Sequence, residues 1–323
     1  MNLSLRGLRL GSKLSLLVTL VVVLAVLALG VNFEVILRQS FQDNTRNQML
    51  NAFQRLDFSL EQIESDLKAG VRLASAEESS IASIELINKY QDKARYNTGL
   101  IDEEKKLLAK NALDRVKFLQ SHDMAIYGQN NELLAFASRQ LGVYQLGYMS
   151  FASGQAQTLV RAESDRDYLP APTHLGQQLV NQHVSRADSE KTAKEPLIGY
   201  QRMDDKLVIK SHQNLWDPVS HRFFGHIEFS YVLDNDFFVH LSKDLGIKLT
   251  QTFASPLAAQ SIELKAYTDK SSLNVTESPE QYLGVMRKST LAGPVYFTVM
   301  IDKSNENNLI NSQRRQIFLT LLV

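Results

Sequence analysis

Residues 207–251 read LVIKSHQNLWDPVSHRFFGHIEFSYVLDNDFFVHLSKDLGIKLTQ, and this stretch decides the fold class. Lys206–Gln213 and Phe223–Tyr231 are two apolar-rich runs joined by the turn formers Trp216-Asp-Pro-Val-Ser. In the second run Ile227, Phe229 and Tyr231 alternate with His226, Glu228 and Ser230. A strand sends successive side chains to opposite faces, so this alternation predicts a long antiparallel hairpin with one buried face. The period then changes. Asp234 is placed to cap a helix running to Leu245, and Gly246 to end it.

Upstream, Met124–Gly128, the turn Gln129-Asn-Asn131 and Glu132–Ala137 predict a second hairpin. Ala156–Ala162 reads as a further strand, and His174–Val184 as a short helix after Pro170 and Pro172. Downstream, Ile247–Phe253, Gln281–Arg287 and Val295–Ile301 predict a smaller sheet, with the polar stretch from Leu257 to Glu280 between its strands. The segment before residue 121 is helical. Met49, Phe53, Leu56, Leu60, Ile63 and Leu67 recur at alternating spacings of 4 and 3, which sets six large apolar groups on one stripe. That stripe fits a core-facing helix or a coiled-coil dimer seam, and the expectation is that its membrane-near part pairs while its distal part packs. Ser79-Ser80 is placed to cap a helix carrying Ile81, Ile84, Ile87 and Tyr90. Asp102-Glu103-Glu104 opens another, with Leu107, Leu108, Ala112, Val116 and Leu119 on its apolar side. Carboxylates on these two helices are expected on solvated faces.

Leu14–Val31, LSLLVTLVVVLAVLALGV, carries no charge. As a helix it is about 27 Å long, close to the ~30 Å hydrocarbon core of a bilayer. Arg6, Arg9 and Lys13 precede it, which keeps the N-terminus cytoplasmic and sends the following chain out. Ala28-Leu29-Gly30 would also pass as a signal-peptide cleavage site, but the apolar run is longer than the usual ~7–15-residue signal core. Gln316 is followed by IFLTLLV, which reads as the first turns of a second span. The expected organisation is therefore a cytoplasmic N-terminus at 1–13, a transmembrane helix at 14–31, helical stalk and packing helices at 32–120, a sheet domain at 121–245, a smaller one at 246–303, and a helix entering the membrane at 304–323. Residues 32–316 are expected outside the cytoplasm, with the anchor in a bacterial inner membrane.

The 323 residues have a formal net charge of +0 and contain 0 cysteines. Neutral charge argues against a nucleic-acid partner, which needs a basic face to displace counterions. Absence of cysteine removes disulfides, thiolate metal sites and cysteine nucleophiles together. No phosphate loop of Walker type, Gly-x-Ser-x-Gly elbow or His-Glu-x-x-His motif is present, so no enzymatic activity, metal or cofactor is expected. His221, His226 and Glu228 invite a metal reading, but the set straddles a turn and is better explained as structural.

In order of parts the chain resembles the extracytoplasmic Cache sensor domains, most closely the double-Cache type. The resemblance covers roughly residues 33–310 and rests on Gly225, Ile227 and Phe229 as a glycine followed by alternating apolar residues, on Leu233-Asp234 opening a helix, and on the hairpin IYGQNNELLAF. It implies an α+β fold in which a long N-terminal helix packs on PAS-like antiparallel sheets, flanked by transmembrane helices. It also implies small-molecule sensing outside the cytoplasm and a cytoplasmic output such as a histidine kinase, a chemotaxis signalling hairpin or a diguanylate cyclase. The amino-acid-binding subset carries an Arg-x-Trp-Tyr-like cluster. Here the single Trp216 is followed by Asp217, so an amino-acid ligand is not carried over.

Six residues are candidates for ligand binding. Arg161, Lys210 and His212 supply positive charge on predicted strands, and Tyr127, Tyr200 and Tyr231 supply walls with a polar tip. Cations in that number point to an anionic metabolite. The competing reading of Arg161 and Lys210 is as exposed strand positions. The function expected is that of the ligand-sensing input module of a homodimeric transmembrane receptor. The alternative is a membrane-tethered binding or adhesion module without signalling output.

Overall fold

The structure is a computed structural model and describes residues 10–92, 96–140, 142–152, 154–171, 194–203, 205–217, 221–243, 245–254, 262–263, 275–290 and 293–322. The helix expected at His174–Val184 and most of the polar stretch from Leu257 to Glu280 lie outside the described residues.

A single helix, α1 (Leu10–Ser75), carries the apolar run and the stripe that follows it. Its most apolar 18-residue window has a mean hydropathy of 3.0 and none of it is buried by the rest of the chain. From Leu14 to Val31 only Ser15 and Thr19 carry a polar side chain, and an uncharged, outward-facing run of that length could span a bilayer. Beyond this run the burial changes. Met49, Leu56 and Leu60 are fully buried, and Phe53 and Leu67 nearly so. Five of the six stripe residues are therefore spent on the chain's own core, and Ile63 is half-buried. The expected dimer seam on its membrane-near part is corrected accordingly: Met49, Phe53 and Leu56 have no surface left for a second copy.

The chain divides into two compact units. One comprises residues 1–56, 238–288 and 295–323, the other residues 57–237 and 289–294. The larger unit holds α2 (Glu78–Tyr90), α3 (Thr98–Leu119) and an eight-stranded antiparallel sheet. Its strands are β1 (Asp123–Gly128), β2 (Leu133–Gln140), β3 (Val143–Ser150), β4 (Gln157–Ala162), β5 (Leu169–Pro170), β6 (Leu197–Met203), β7 (Lys206–Trp216) and β8 (Phe223–Leu233), in the order β5-β4-β3-β2-β1-β8-β7-β6. Both expected hairpins are present, and β8 closes back onto β1 with Ile126 opposite Ile227. The helix after β8, α4 (Asn235–Ser242), is shorter than expected, but the Asp234 carboxylate does accept from the Phe237 amide at 3.0 Å as its cap.

Gly225 shows why that position needs glycine. It has φ +156°, and a Cβ there would lie 2.3 Å from the Tyr127 carbonyl oxygen. It sits directly opposite Gly128 of β1, where the two backbones approach too closely for a side chain.

The smaller unit contains a five-stranded sheet of β9 (Lys248–Thr252), β10 (Ile262–Glu263), β11 (Val275–Glu277), β12 (Gln281–Thr290) and β13 (Gly293–Asp302). Met49 and Phe53 of α1 pack on β12 at Gly284, where a Cβ would come within 2.9 Å of the Met49 sulfur. The final helix, α5 (Ser304–Leu322), runs back along α1. Arg314 donates to the Glu34 carboxylate from Nε at 3.2 Å and from Nη2 at 2.8 Å, and a Cβ on Gly30 would lie 2.6 Å from Ile317 Cδ1. Residue numbers rise along one helix as they fall along the other, so the two are antiparallel at this point.

Candidate functional site

The two faces of the large sheet differ in chemistry, and the register separates them. On one face Met124, Ile126, Phe229 and Ile209 are fully or almost fully buried. Tyr200 lies on this face opposite Ile209 and donates its hydroxyl proton to Glu64 of α1. From α3, Asp102 accepts from the Ser150 hydroxyl at 2.9 Å. This is the helix-facing side.

The other face carries three cross-strand rows: Asp123 beside Ser230 and Lys210, Ala125 beside Glu228 and His212, and Tyr127 beside His226 and Asn214. Strand alternation dictates the grouping, since all are at even or all at odd positions of their strand. Tyr127, Asn214, His226 and Ser230 are buried, and Asp123, Ala125, Lys210, His212 and Glu228 are half-buried. Side-chain exposure is 15% for Lys210, 13% for Glu228 and 1% for His226. Lys210 Nζ lies 3.9 Å from one Glu228 oxygen, and His226 Nε2 lies 3.4 Å from the other. Ser230 donates to Asp123 at 2.8 Å. The Tyr127 ring stacks on His226 with centroids 4.4 Å apart and planes 15° from parallel. Burial pushes the Asp123 carboxyl above its usual range, opposed by the Ser230 hydrogen bond and by His122 and Lys210. Burial pushes the neighbouring His122 below its usual value, against the pull of Asp123 and Asp234. A strip of this kind can bind a donor through its carboxylates and an acceptor through Lys210.

The six sequence candidates thus fall into two groups. Tyr127, Lys210 and His212 are brought together on the polar strip. Arg161, Tyr200 and Tyr231 are on the helix-facing side, because Arg161 pairs with Leu146, Tyr200 with Ile209 and Tyr231 with Ile209 from the other edge. The Arg161 guanidinium donates to the carbonyls of Ala162, Glu163 and Asp165, at 3.3, 3.1 and 2.5 Å, and lies 5.2 Å from the Tyr168 ring centroid. Its donors shape its own loop. Tyr231 meets His122 edge-on at 4.8 Å.

Asp123, Glu228, Ser230 and Asn214 complete the strip and were not among the candidates. Alternation within β7 and β8 already placed Glu228 and Ser230 beside His226. The row to Asp123 needs the β1–β8 pairing, which no local pattern states.

A second polar cluster braces the apolar end of the strip. Tyr127 belongs to a core group with Leu133, Phe136, Met149 and Phe151, against which Tyr96 packs. Tyr96 donates to Asp102 at 2.5 Å, and Lys105 donates to Tyr96 at 3.2 Å and to the Met149 carbonyl at 2.6 Å. Lys105 is fully buried, and Asp102 is 7% exposed. The expectation that carboxylates of the packing helices are solvated is corrected here by Asp102, which Tyr96 and Ser150 satisfy from both sides. Burial pushes the Lys105 amine down to about 8, with Asp102 and Glu132 opposing. Groups that could hold a metal ion are absent among the described residues.

No family model matches the chain, and no curated protein matches it in sequence. Solved structures similar to it include three sensory domains. One is a domain of a sensory box/GGDEF family protein from Vibrio parahaemolyticus, at 12% identity over 80% of this chain and 95% of that one, with a TM-score of 0.38. Another is the sensory domain of a Campylobacter jejuni chemoreceptor with isoleucine bound, at 10% identity over 86% and 97%, with a TM-score of 0.41. The third is the ligand-binding domain of a Pseudomonas aeruginosa amino-acid chemoreceptor in complex with GABA, at 9% identity over 82% and 99%, with a TM-score of 0.33.

Proposed function

We propose that the chain is the extracytoplasmic ligand-sensing input module of a transmembrane signalling receptor in a bacterial inner membrane. The observation that carries this reading is the strip of Asp123, Glu228, Lys210 and His226, buried or half-buried, in a chain whose α1 also carries a run long and apolar enough to cross a membrane. Taking two carboxylates and an ammonium out of water costs several kcal/mol per ion before any pairing, as an order of magnitude. Such a cost is sustained most readily where the groups have a task. The antiparallel contact of α5 with α1 at Glu34 and Gly30 favours a receptor over a tether, because only a receptor needs the chain to return to the membrane. The output beyond it would be a histidine kinase, a chemotaxis hairpin or a diguanylate cyclase. A homodimer belongs to this reading, with its seam on residues other than the Met49–Leu67 stripe.

The ligand is a small polar molecule. With Arg161 on the far side of the sheet, the strip offers one lysine and two carboxylates, so the anionic metabolite expected from the cation count gives way to a ligand that pairs a protonated amine with an anionic group. The amine would meet Asp123 and Glu228, and the anionic group would meet Lys210. Binding biases the receptor only through unequal affinity for its two signalling states.

Two measurements test the reading. A reporter fused near residue 200 should be active outside the cytoplasm, and activity inside would sink it. Metabolites should be screened by thermal shift on the full chain. For a hit, Lys210→Ala or Asp123→Ala should weaken binding on the order of ten- to a hundredfold, and Arg161→Ala by less than about threefold. The reverse ranking would place the ligand elsewhere.

A further inference from the structure

His122 stands in the link between α3 and β1, where the large sheet hands over to α4. β8 runs past the start of β1 here. Asp123 pairs with Ser230, and beyond that pair the Val232 amide donates to His122 Nδ1 at 3.2 Å. The side chain of His122 thus takes the place of a strand carbonyl. An imidazole nitrogen that accepts a hydrogen bond carries no proton, so the neutral ring holds its proton on Nε2. Nε2 faces Asp234 Oδ2 at 3.6 Å, too far for a hydrogen bond and near enough for an ion pair. The other oxygen of that carboxylate, Oδ1, accepts from the Phe237 amide as the cap of α4. The three contacts form one chain, from the β8 backbone through the ring and the carboxylate to the first turn of α4.

A proton on Nδ1 disrupts this chain. The ring then turns an N–H against the Val232 N–H, donor against donor, and that amide loses its acceptor. The charged groups facing the ring are Asp123 of β1, Asp234 and Arg139 of β2. Tyr231 of β8 meets it edge-on and stays neutral, since burial raises its hydroxyl. Two carboxylates against one guanidinium draw the imidazolium toward acid, and Asp234 is the one already committed to a helix cap. The His122 side chain is 17% exposed, so protons reach it through water. Burial opposes the charge, which sets the change below the ordinary histidine value of 6.5. α4 is also where the chain leaves the larger compact unit, at Phe237, and enters the smaller one, at Phe238.

We propose that His122 is a proton-operated latch on the root of α4. Neutral, it ties the end of β8 to the helix cap. Protonated, it releases the Val232 amide, draws the Asp234 carboxylate away from Phe237 and frays the first turn of α4. The latch needs no ligand on the polar strip. Only its use as a sensor of outside acidity rests on the extracytoplasmic placement.

Hydrogen exchange on the full chain in lipid nanodiscs, resolved to the Val232 and Phe237 amides, tests it. Between pH 7.5 and pH 5.0, after correction for the intrinsic pH dependence of exchange, both amides should lose protection about five- to tenfold, the worth of one hydrogen bond. In His122→Asn the side-chain oxygen can accept from Val232 without titrating, and protection should change less than about twofold. Unchanged protection in the unaltered chain would overturn the proposal. So would an equal loss in His122→Asn, which would assign the effect to Asp123 or another carboxylate. Should the variant not fold, nitrogen spectra of labelled histidine in the unaltered chain decide: one of the 7 histidines must begin as the Nε2–H tautomer and titrate in step with the exchange, and if none does the latch is refuted.

Discussion

Lys105 makes the stability of the larger unit depend on pH in a direction opposite to the usual lysine. Its ammonium is fully buried, held by the Met149 carbonyl and the Tyr96 hydroxyl, and its pKa is brought down from 10.5 to about 8 by loss of hydration. In the unfolded chain it would titrate near the ordinary value of 10.5. Between these two values the unfolded state binds more protons than the folded one, so stability rises with pH in that window. Below pH 8 both states are protonated and the penalty is present in full, at ~3 kcal/mol. Integrated from pH 8 to pH 10, the relief amounts to ~2 kcal/mol. The buried tyrosines work in the opposite sense, because burial raises Tyr96, Tyr148 and Tyr200, but only once pH exceeds their unfolded value near 10. The window from 8 to 10 is therefore the one to measure. Urea unfolding followed by Trp216 emission, which lies in the same unit, should show a midpoint climbing across this range. Lys105→Met keeps the length of the side chain and removes its charge, and should flatten the climb while leaving Asp102 satisfied by Tyr96 and Ser150. A midpoint that falls from pH 8 to 10, or a climb equally steep in Lys105→Met, would refute the account.

Three other perturbations have clear expected outcomes. Asp102→Ala should cost more than Lys105→Met, on the order of 3–5 kcal/mol at pH 7, since it leaves a buried ammonium without its compensating charge, and equal costs in urea unfolding would argue against that asymmetry. Gly225→Ala should destabilise by at least ~2 kcal/mol, because its Cβ has nowhere to go but the Tyr127 carbonyl; an unchanged urea midpoint would show that β1 and β8 can part there. At the membrane boundary, cysteines replacing Gly30 and Ile317 should crosslink in oxidised membranes, and the yield should drop when Glu34→Gln removes the Arg314 fork, although such an exposed pair adds little to stability; an undiminished yield would mean apolar packing alone sets the register.

What could be read without the structure follows from how local each signal is. The β7–β8 hairpin, the Asp234 cap and the apolar run of α1 each announce themselves within a dozen or two residues, through a period of 2, a side chain placed to accept an amide, or unbroken hydrophobicity. β3 and β6 were not foreseen. Val143–Ser150 interrupts its apolar residues with Gln145 and Gly147, and Leu197–Met203 has Gly199 and Gln201 at alternate positions, so neither run shows a clean period. Both are strands because neighbours on the sheet complete them. The same distinction governs the site. Alternation put Lys210 with His212, and His226 with Glu228, on common strand faces, but whether Arg161 shares the face of Lys210 depends on a path of registers through β4, β3, β2, β1, β8 and β7. A shift of one residue anywhere along that path would exchange the two faces. Asp102 is the sharper case. In its own helix it looks like any first-turn acid, stabilised by the helix dipole and open to water. Its burial is decided by Tyr96, six residues before it, and Ser150, forty-eight after. Charge placed by distant partners is what a helix pattern omits, and here it braces the wall of the proposed binding strip.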